Sequence, residues 1–278
     1  MMKQILLLTD FSENSINAIH YALNLFKDDN CNFYVLHVES SKSYLSDDLV
    51  MGGGQSIYDS IVKKSKNRLL ELIENLKSKF HNPKFTFQEV IDFDGLTQAI
   101  NQVKTSKHID LIVMGSNGVT GAKEIVFGSN TINVIRNVYC PTLIVPEGFS
   151  YIKPLEVLLP LDLDDTLNSN AFSELLKFTE KFSDKLHLLR VIPSDEASQE
   201  LENDAEYISA FIKGLDYAYH VIEEVPMDYT VSCYTQTHPI TLTALLVQKE
   251  RFIDRFFTSS STSKISNKLR VPLLVFHS

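Results

Sequence analysis

Met114-Gly-Ser-Asn-Gly-Val-Thr-Gly-Ala-Lys-Glu-Ile-Val-Phe-Gly-Ser-Asn-Thr131 stands between two patterned segments. The apolar run Asp110-Leu111-Ile112-Val113-Met114 precedes it and reads as a buried parallel strand. Ile132, Ile135 and Val138 follow at helical spacing, and Pro141 closes that segment. Gly115 and Gly118 flank Ser116-Asn117, and Gly128-Ser129 come after nine more residues. Glycines let backbone N–H groups approach an anion closely, and a helix N-terminus adds the positive end of a dipole. Strand, glycine loop and hydroxyl-capped helix, with Ser129 as the expected cap, form a cradle suited to phosphate. The alternative is a loop whose glycines serve turns only.

Composition narrows the classes. The chain has 278 residues, 44% hydrophobic and 22% charged, which suits two globular domains. Its net charge is −9, with the acidic excess in the second half around Asp162, Asp164, Asp165 and Asp195 to Glu206. No basic stripe is present, so a nucleic-acid partner is disfavoured. No apolar run reaches the roughly 20 residues of a membrane span. The start, Met-Met-Lys-Gln-Ile-Leu-Leu-Leu, reads as a strand rather than a signal peptide, so a cytoplasmic location is expected. Cys31, Cys140 and Cys233 have neither disulfide nor zinc spacing, and no metal site is expected from the eight histidines.

From the start, Lys3–Thr9 reads as strand one, and Ser12 as the N-cap of a helix with Ile16, Ile19, Leu23 and Phe26 in one stripe. Cys31–Val38 is strand two. A polar connection with Gly52-Gly53-Gly54 leads to the helix Ile57–Phe80; Phe85–Ile91 is strand three and Gly95–Lys104 a short helix. Leu111–Met114 and Thr142–Val145 are strands four and five. Alternation of this kind describes an open parallel α/β sheet. Loops following its strands share one edge, where ligands bind, so Asp10 and the Gly115 loop face a common cleft.

After the linker Glu147–Ser150 the pattern restarts. Leu155–Leu161 enters Asp162-Leu-Asp-Asp-Thr166 much as strand one enters Thr9-Asp10-Phe11-Ser12, and Arg270-Val-Pro-Leu-Leu-Val275 parallels Tyr139-Cys-Pro-Thr-Leu-Ile-Val145. The expectation is a tandem duplication, residues 1–148 and 152–278. In the second copy a helix follows the first strand through Phe172, Leu175, Leu176 and Phe182, and Lys185–Ile192 is its second strand. A long helix is expected through Leu201, Ile208, Phe211, Leu215 and Ile222, followed by a strand at Met227–Tyr234. That leaves too few residues before Leu245 for another helix, so the second copy reads as shortened. It has one glycine, Gly214, and bulky Val247–Phe257 where a glycine loop is expected, so it lacks the phosphate cradle.

The Gly-2x-Gly-9x-Gly-Ser spacing differs from the P-loop and dinucleotide patterns. It resembles the signature of nucleotide-binding universal stress proteins, and with the duplication the whole chain resembles a tandem member of that family. The resemblance implies two open-sheet sandwiches of the adenine-nucleotide-binding, HUP-like type, and a regulatory protein binding ATP (or AMP or ADP) in the first domain. It also implies roles. Asp10 would lie near ribose or a phosphate-bound Mg²⁺, Thr9 beside it would belong to the nucleotide site, and Val38 would touch adenine. Met114 and Gly115 would line base and sugar, while Asn117, Gly118, Gly128, Ser129, Asn130 and Thr131 would form the loop that holds phosphate. For Asp10 the alternative is a cap on the turn into the first helix; Thr120 and Lys123 could shield a phosphate or lie on a solvated surface. No nucleophile–base pair or nucleotidyltransferase element accompanies the loop, so binding with slow hydrolysis at most is expected rather than a turnover enzyme. The competing class is a nucleotide-independent scaffold with an unknown protein partner. Apolar strands Thr142–Val145 and Leu273–Val275 would be bare sheet edges, so they are expected to pair within one chain, a pseudo-dimer; a homodimer is the further alternative.

Overall fold

A computed structural model describes residues 2–39, 54–116, 127–163, 165–192, 198–247 and 271–277, of which 54–61 and 198–200 as backbone only. The described chain separates into two compact units at Gly115/Ser116.

The first unit alternates β1 (Lys3–Leu8), α1 (Glu13–Leu25), β2 (Cys31–Val38), α2 (Gly54–Phe80), β3 (Phe85–Asp92), α3 (Leu96–Lys107) and β4 (Leu111–Gly115). Its strands are parallel in the order β3-β2-β1-β4. Ile5, Leu6, Leu7, Phe33, Val35, Leu36, Ile112 and Val113 are buried. Strands covered on both faces need unbroken apolar runs, which is why these segments do not alternate with polar residues. Ser12 caps α1 by accepting the Ser15 N–H, and Glu13 lies in the first turn, where the helix dipole favours an anion. Buried Ala18, Ile19, Ala22 and Leu23 then form the inward stripe. α3 starts on Gly95, whose N–H donates to Gln98 Oε1, and ends on left-handed His108.

The second unit contains α4 (Ser129–Asn137), β5 (Thr142–Val145), β6 (Glu156–Leu161), α5 (Asn170–Phe182), β7 (Lys185–Ile192), α6 (Ser198–Phe211), β8 (Asp216–Glu223), α7 (Met227–Thr237), β9 (Leu242–Val247) and β10 (Leu273–His277). Its strand order is β5-β10-β9-β6-β7-β8. All neighbours are parallel except β5 and β10, which run antiparallel with Leu273 opposite Ile144, Leu274 opposite Leu143 and Val275 opposite Thr142. The two apolar edges expected to meet therefore do pair. This pairing gathers β5 with the later strands, although in sequence it closes the first repeat. The first four strands of each repeat have the same order, β3-β2-β1-β4 and β8-β7-β6-β9.

Two expectations for the second half need correction. The long helix through Leu201 to Ile222 is α6 followed by β8, with Gly214 (φ +87°) in the turn between them. Helical spacing of Leu201, Ile208, Phe211 and Leu215 concealed the alternation of Tyr217, Tyr219 and Val221, which belongs to a strand. Met227–Tyr234 is not a strand but most of helix α7. Aromatic and β-branched residues there suggested β-structure. Pro226 at the N-cap and Asp228 in the first turn instead start a helix that buries Thr230, Val231 and Tyr234. The missing third helix is thus present, and the second copy is not shortened at this place.

Candidate functional site

The carboxyl ends of β1, β2 and β4 share one edge of the first unit, and five of the expected ligand residues lie on it. Thr9, directly after β1, is buried; its N–H donates to the Leu36 carbonyl at 2.9 Å. Its Oγ1 accepts the Phe11 N–H at 2.9 Å and lies 3.1 Å from Ser15 Oγ. Asp10 is exposed, and its Oδ1 accepts both the Ser12 N–H (2.9 Å) and the Ser12 hydroxyl (2.5 Å). Partial burial pushes the Asp10 pKa up, but hydrogen bonds from Ser12 and Ser15 outweigh it and leave the carboxyl below its ordinary value. Asp10 is therefore anionic at neutral pH. It suits a hydroxyl donor or a cation and would repel a bare phosphate. The capping role weighed for it in sequence is realised: its carboxylate closes the turn into α1.

Val38 ends β2 opposite Asp92 of β3. Around it lies a group that the sequence did not single out. His37 Nδ1 is 2.9 Å from the Thr9 carbonyl, which only accepts, so Nδ1 carries the hydrogen. His37 Nε2 is 3.3 Å from Glu39 Oε2, which also accepts the Ser65 hydroxyl at 2.5 Å. The Phe11 ring, on a left-handed backbone (φ 64°), lies 4.5 Å from the His37 ring at a tilt of 46°, and the Arg68 guanidinium lies over the Phe11 ring at 4.2 Å. These contacts tie the turn at Thr9–Phe11 and the end of β2 to Ser65 and Arg68 of α2. His37 adjoins Val38 in sequence and could have been noticed there; Ser65 and Arg68 are brought in by the fold alone.

Met114 is buried at the end of β4, and Gly115 follows it. A Cβ built on Gly115 would lie 2.8 Å from Cγ, Oδ1 and Nδ2 of Asn14, so the amide plane rests flat on the glycine. Packing alone therefore favours glycine at 115. Gly115→Ala is expected to cost about 1–2 kcal/mol by overpacking. Adding Asn14→Ala should recover part of that loss in a double-mutant cycle of urea melts; additive losses would mean the contact has no energetic weight.

Gly128, Ser129, Asn130 and Thr131 lie in the second unit as the start of α4. The expected Ser129 cap is corrected: Gly128 is the N-cap (φ −67°, ψ 160°), with no side-chain cap, and Ser129 is the first helical residue. Glycine has no oxygen with which to close the helix, so the donors of the first turn are left for another acceptor. Ser129 and Asn130 are exposed. Thr131 is fully buried, and its Oγ1 has no hydrogen-bond partner among the described residues. An uncapped first turn with an orphaned hydroxyl fits an anionic ligand. Asn117 and Gly118, with Thr120 and Lys123, lie outside the described residues. Among the described residues, no group of three or more His, Cys, Asp or Glu side chains could hold a metal ion, and no helix is long and apolar enough to cross a membrane.

Comparison with known proteins adds a family. The chain is 31% identical over 157 residues to universal stress protein MJ0577 of Methanocaldococcus jannaschii, covering 52% of this chain and 95% of that one. It is 30% identical over 149 residues to universal stress protein YxiE of Bacillus subtilis, covering 52% and 99%. Among solved structures, a universal stress protein from Archaeoglobus fulgidus aligns with 99% of this chain and 98% of its own, with a TM-score of 0.71 and 19% identity, a likeness of fold through both halves. The model of the universal stress protein family matches residues 1–146, which span β1 to β5. The chain belongs to the universal stress protein family.

Proposed function

We propose that the chain is a regulatory protein that binds one adenine nucleotide, ATP or else AMP or ADP, through its first repeat. The carrying observation is the start of α4, where the cap is a glycine without a side-chain acceptor and the buried Thr131 hydroxyl has no partner among the described residues. Gly118, Gly128, Ser129, Asn130 and Thr131 would hold the phosphates, with Asn117 in the same loop. Thr9, Val38, Met114 and Gly115 would line base and sugar, and anionic Asp10 would take a ribose hydroxyl or a phosphate-bound Mg²⁺. A bound nucleotide supplies the charge that these donors neutralise. The residues named bind and orient it, and no general base for rapid hydrolysis is assigned, so hydrolysis is slow at most. In this reading the protein works in the cytoplasm, the β5–β10 pairing makes the repeats a pseudo-dimer within one chain, and occupancy signals to a protein partner.

A nucleotide-independent scaffold is the second reading. The Asp10 cap on the turn and the Asn14 contact at Gly115 favour it, because each explains a motif residue without a ligand. Mass spectrometry of nucleotide released from freshly purified protein separates the two, read beside a thermal melt with ATP and Mg²⁺. About one nucleotide per chain and a ligand-dependent rise in Tm are expected. None released and no rise would leave the scaffold; two per chain would mean that the second repeat binds as well.

A further inference from the structure

The second unit contains a chain of polar contacts unrelated to the nucleotide site. His187, on β7, lies with Nε2 2.7 Å from Glu156 Oε2 on β6 and with Nδ1 2.8 Å from the Tyr234 hydroxyl on α7. His187 is 4% exposed and Tyr234 8%, so water is no ready substitute for either partner. The hydrogens can be counted. The Glu156 carboxylate only accepts, so the imidazole hydrogen is on Nε2; bare Nδ1 then accepts the Tyr234 O–H. Neutral His187 satisfies both bonds. An imidazolium carries hydrogens on both nitrogens, and the Tyr234 hydroxyl would lose the acceptor for its own.

The surroundings oppose an added proton. The His238 ring stacks on Tyr234 at 3.8 Å and 5°, and lies 6.0 Å from His187. The His220 ring, on β8, is 5.7 Å from Tyr234 and 6.4 Å from His238. Lys185 of β7 adds positive charge, partly answered by Asp216 of β8 at 3.5 Å. Glu156 on β6 is the carboxylate that touches His187. Three imidazoles thus lie around one phenol, and one carboxylate touches His187.

We propose that Glu156, His187 and Tyr234 form a proton-sensitive latch, which fastens α7 to β6 and β7 while His187 is neutral and releases α7 on acidification. Burial lowers the affinity of His187 for a proton; the hydrogen bond and charge of Glu156 pull the other way without offsetting it, and Lys185 and His238 lower it further. An opened α7 exposes the imidazole, which then takes a proton near its ordinary 6.5. The open form binds protons more readily, so the latch is intact above pH 6.5 and weakens as pH falls below it.

Hydrogen exchange of α7 amides at pH 7.5 and 5.5, corrected for intrinsic chemical rates, tests this. The opening equilibrium of α7 should rise up to about tenfold at the lower pH, with α5 unchanged as the internal control. Tyr234→Phe should open more at both values and lose the pH dependence. Nitrogen-15 spectra of the wild-type imidazole, which need no variant, should show His187 with its hydrogen on Nε2 at pH 7.5. Equal α7 protection at the two pH values, or a hydrogen on Nδ1, would overturn the latch.

Discussion

Asp204→Ala is expected to destabilise the second unit by about 3–5 kcal/mol, because it strands a buried guanidinium. Arg190 on β7 is 1% exposed, and it reaches Asp204 of α6 with two bonds, Nε to Oδ2 at 2.8 Å and Nη2 to Oδ1 at 2.6 Å. Nη1 and Nη2 also donate to the Asp165 carbonyl at 3.1 Å, and Nη1 donates to the carbonyl of Asp162. The Tyr219 hydroxyl adds a third bond to Asp204, 2.6 Å to Oδ2. Burial alone would lower the Arg190 pKa, but the hydrogen bonds and charge of Asp204 outweigh it and raise the value. Tyr219 is raised by its burial and by Asp204, so it remains a donor. With Asp204 gone, the buried Arg190 loses its counter-charge and two of its bonds, keeping only the Asp162 and Asp165 carbonyls, and Tyr219 loses its acceptor. A urea melt should show a lower midpoint with an unchanged slope; a loss under 1 kcal/mol would mean that water or a rearranged carbonyl replaces the carboxylate.

Gly128→Asp should abolish nucleotide binding while sparing the fold. Aspartate is among the best N-cap residues and accepts from the first-turn N–H groups, so α4 should gain up to about 1 kcal/mol. The same carboxylate would occupy the phosphate position with like charge. ATP affinity should fall at least about 100-fold, roughly 2.7 kcal/mol. Calorimetric titration of wild type and variant measures it, beside apo melting curves that check the fold. If Gly128→Asp binds ATP as tightly as wild type, phosphate does not sit at the start of α4.

These two cases also mark what sequence could convey. β1, β2, β4 and β7 are short, mostly apolar segments between turn residues, and the bounds read from them agree with the structure to within a residue or two. Ser12 announced α1 by the chemistry of its hydroxyl. α7 was illegible because Tyr229, Thr230, Val231 and Tyr234 prefer strands locally, and burial beside β6 decides otherwise. At the candidate site, the glycine spacing pointed to Gly115 and Gly128 directly. Asn14, Ser65 and Arg68 had no signal, since their relation to Gly115, Glu39 and Phe11 arises only when helices lie on strands. Arg190 was hidden for a like reason: an arginine within Lys185–Ile192 reads as a flaw in a strand until Asp204, Asp162 and Asp165 are seen around it. His37 does comparable work in the first unit, where it reaches the Thr9 carbonyl, the first after β1, as Arg190 reaches that of Asp162, the first after β6.

The antiparallel pairing of β5 with β10 has a consequence on the ribosome. Thr142–Val145 is made about 130 residues before Leu273–Val275, the strand that covers it. At typical elongation rates the wait is roughly 7–26 s, far longer than helices and hairpins need to form. During it the nascent chain carries a strand with Leu143, Ile144 and Val145 in succession and without its β10 partner. Translation arrest after the first repeat would leave that strand ready to join another nascent chain, so polysomes making this protein should be prone to cross-pairing between neighbours.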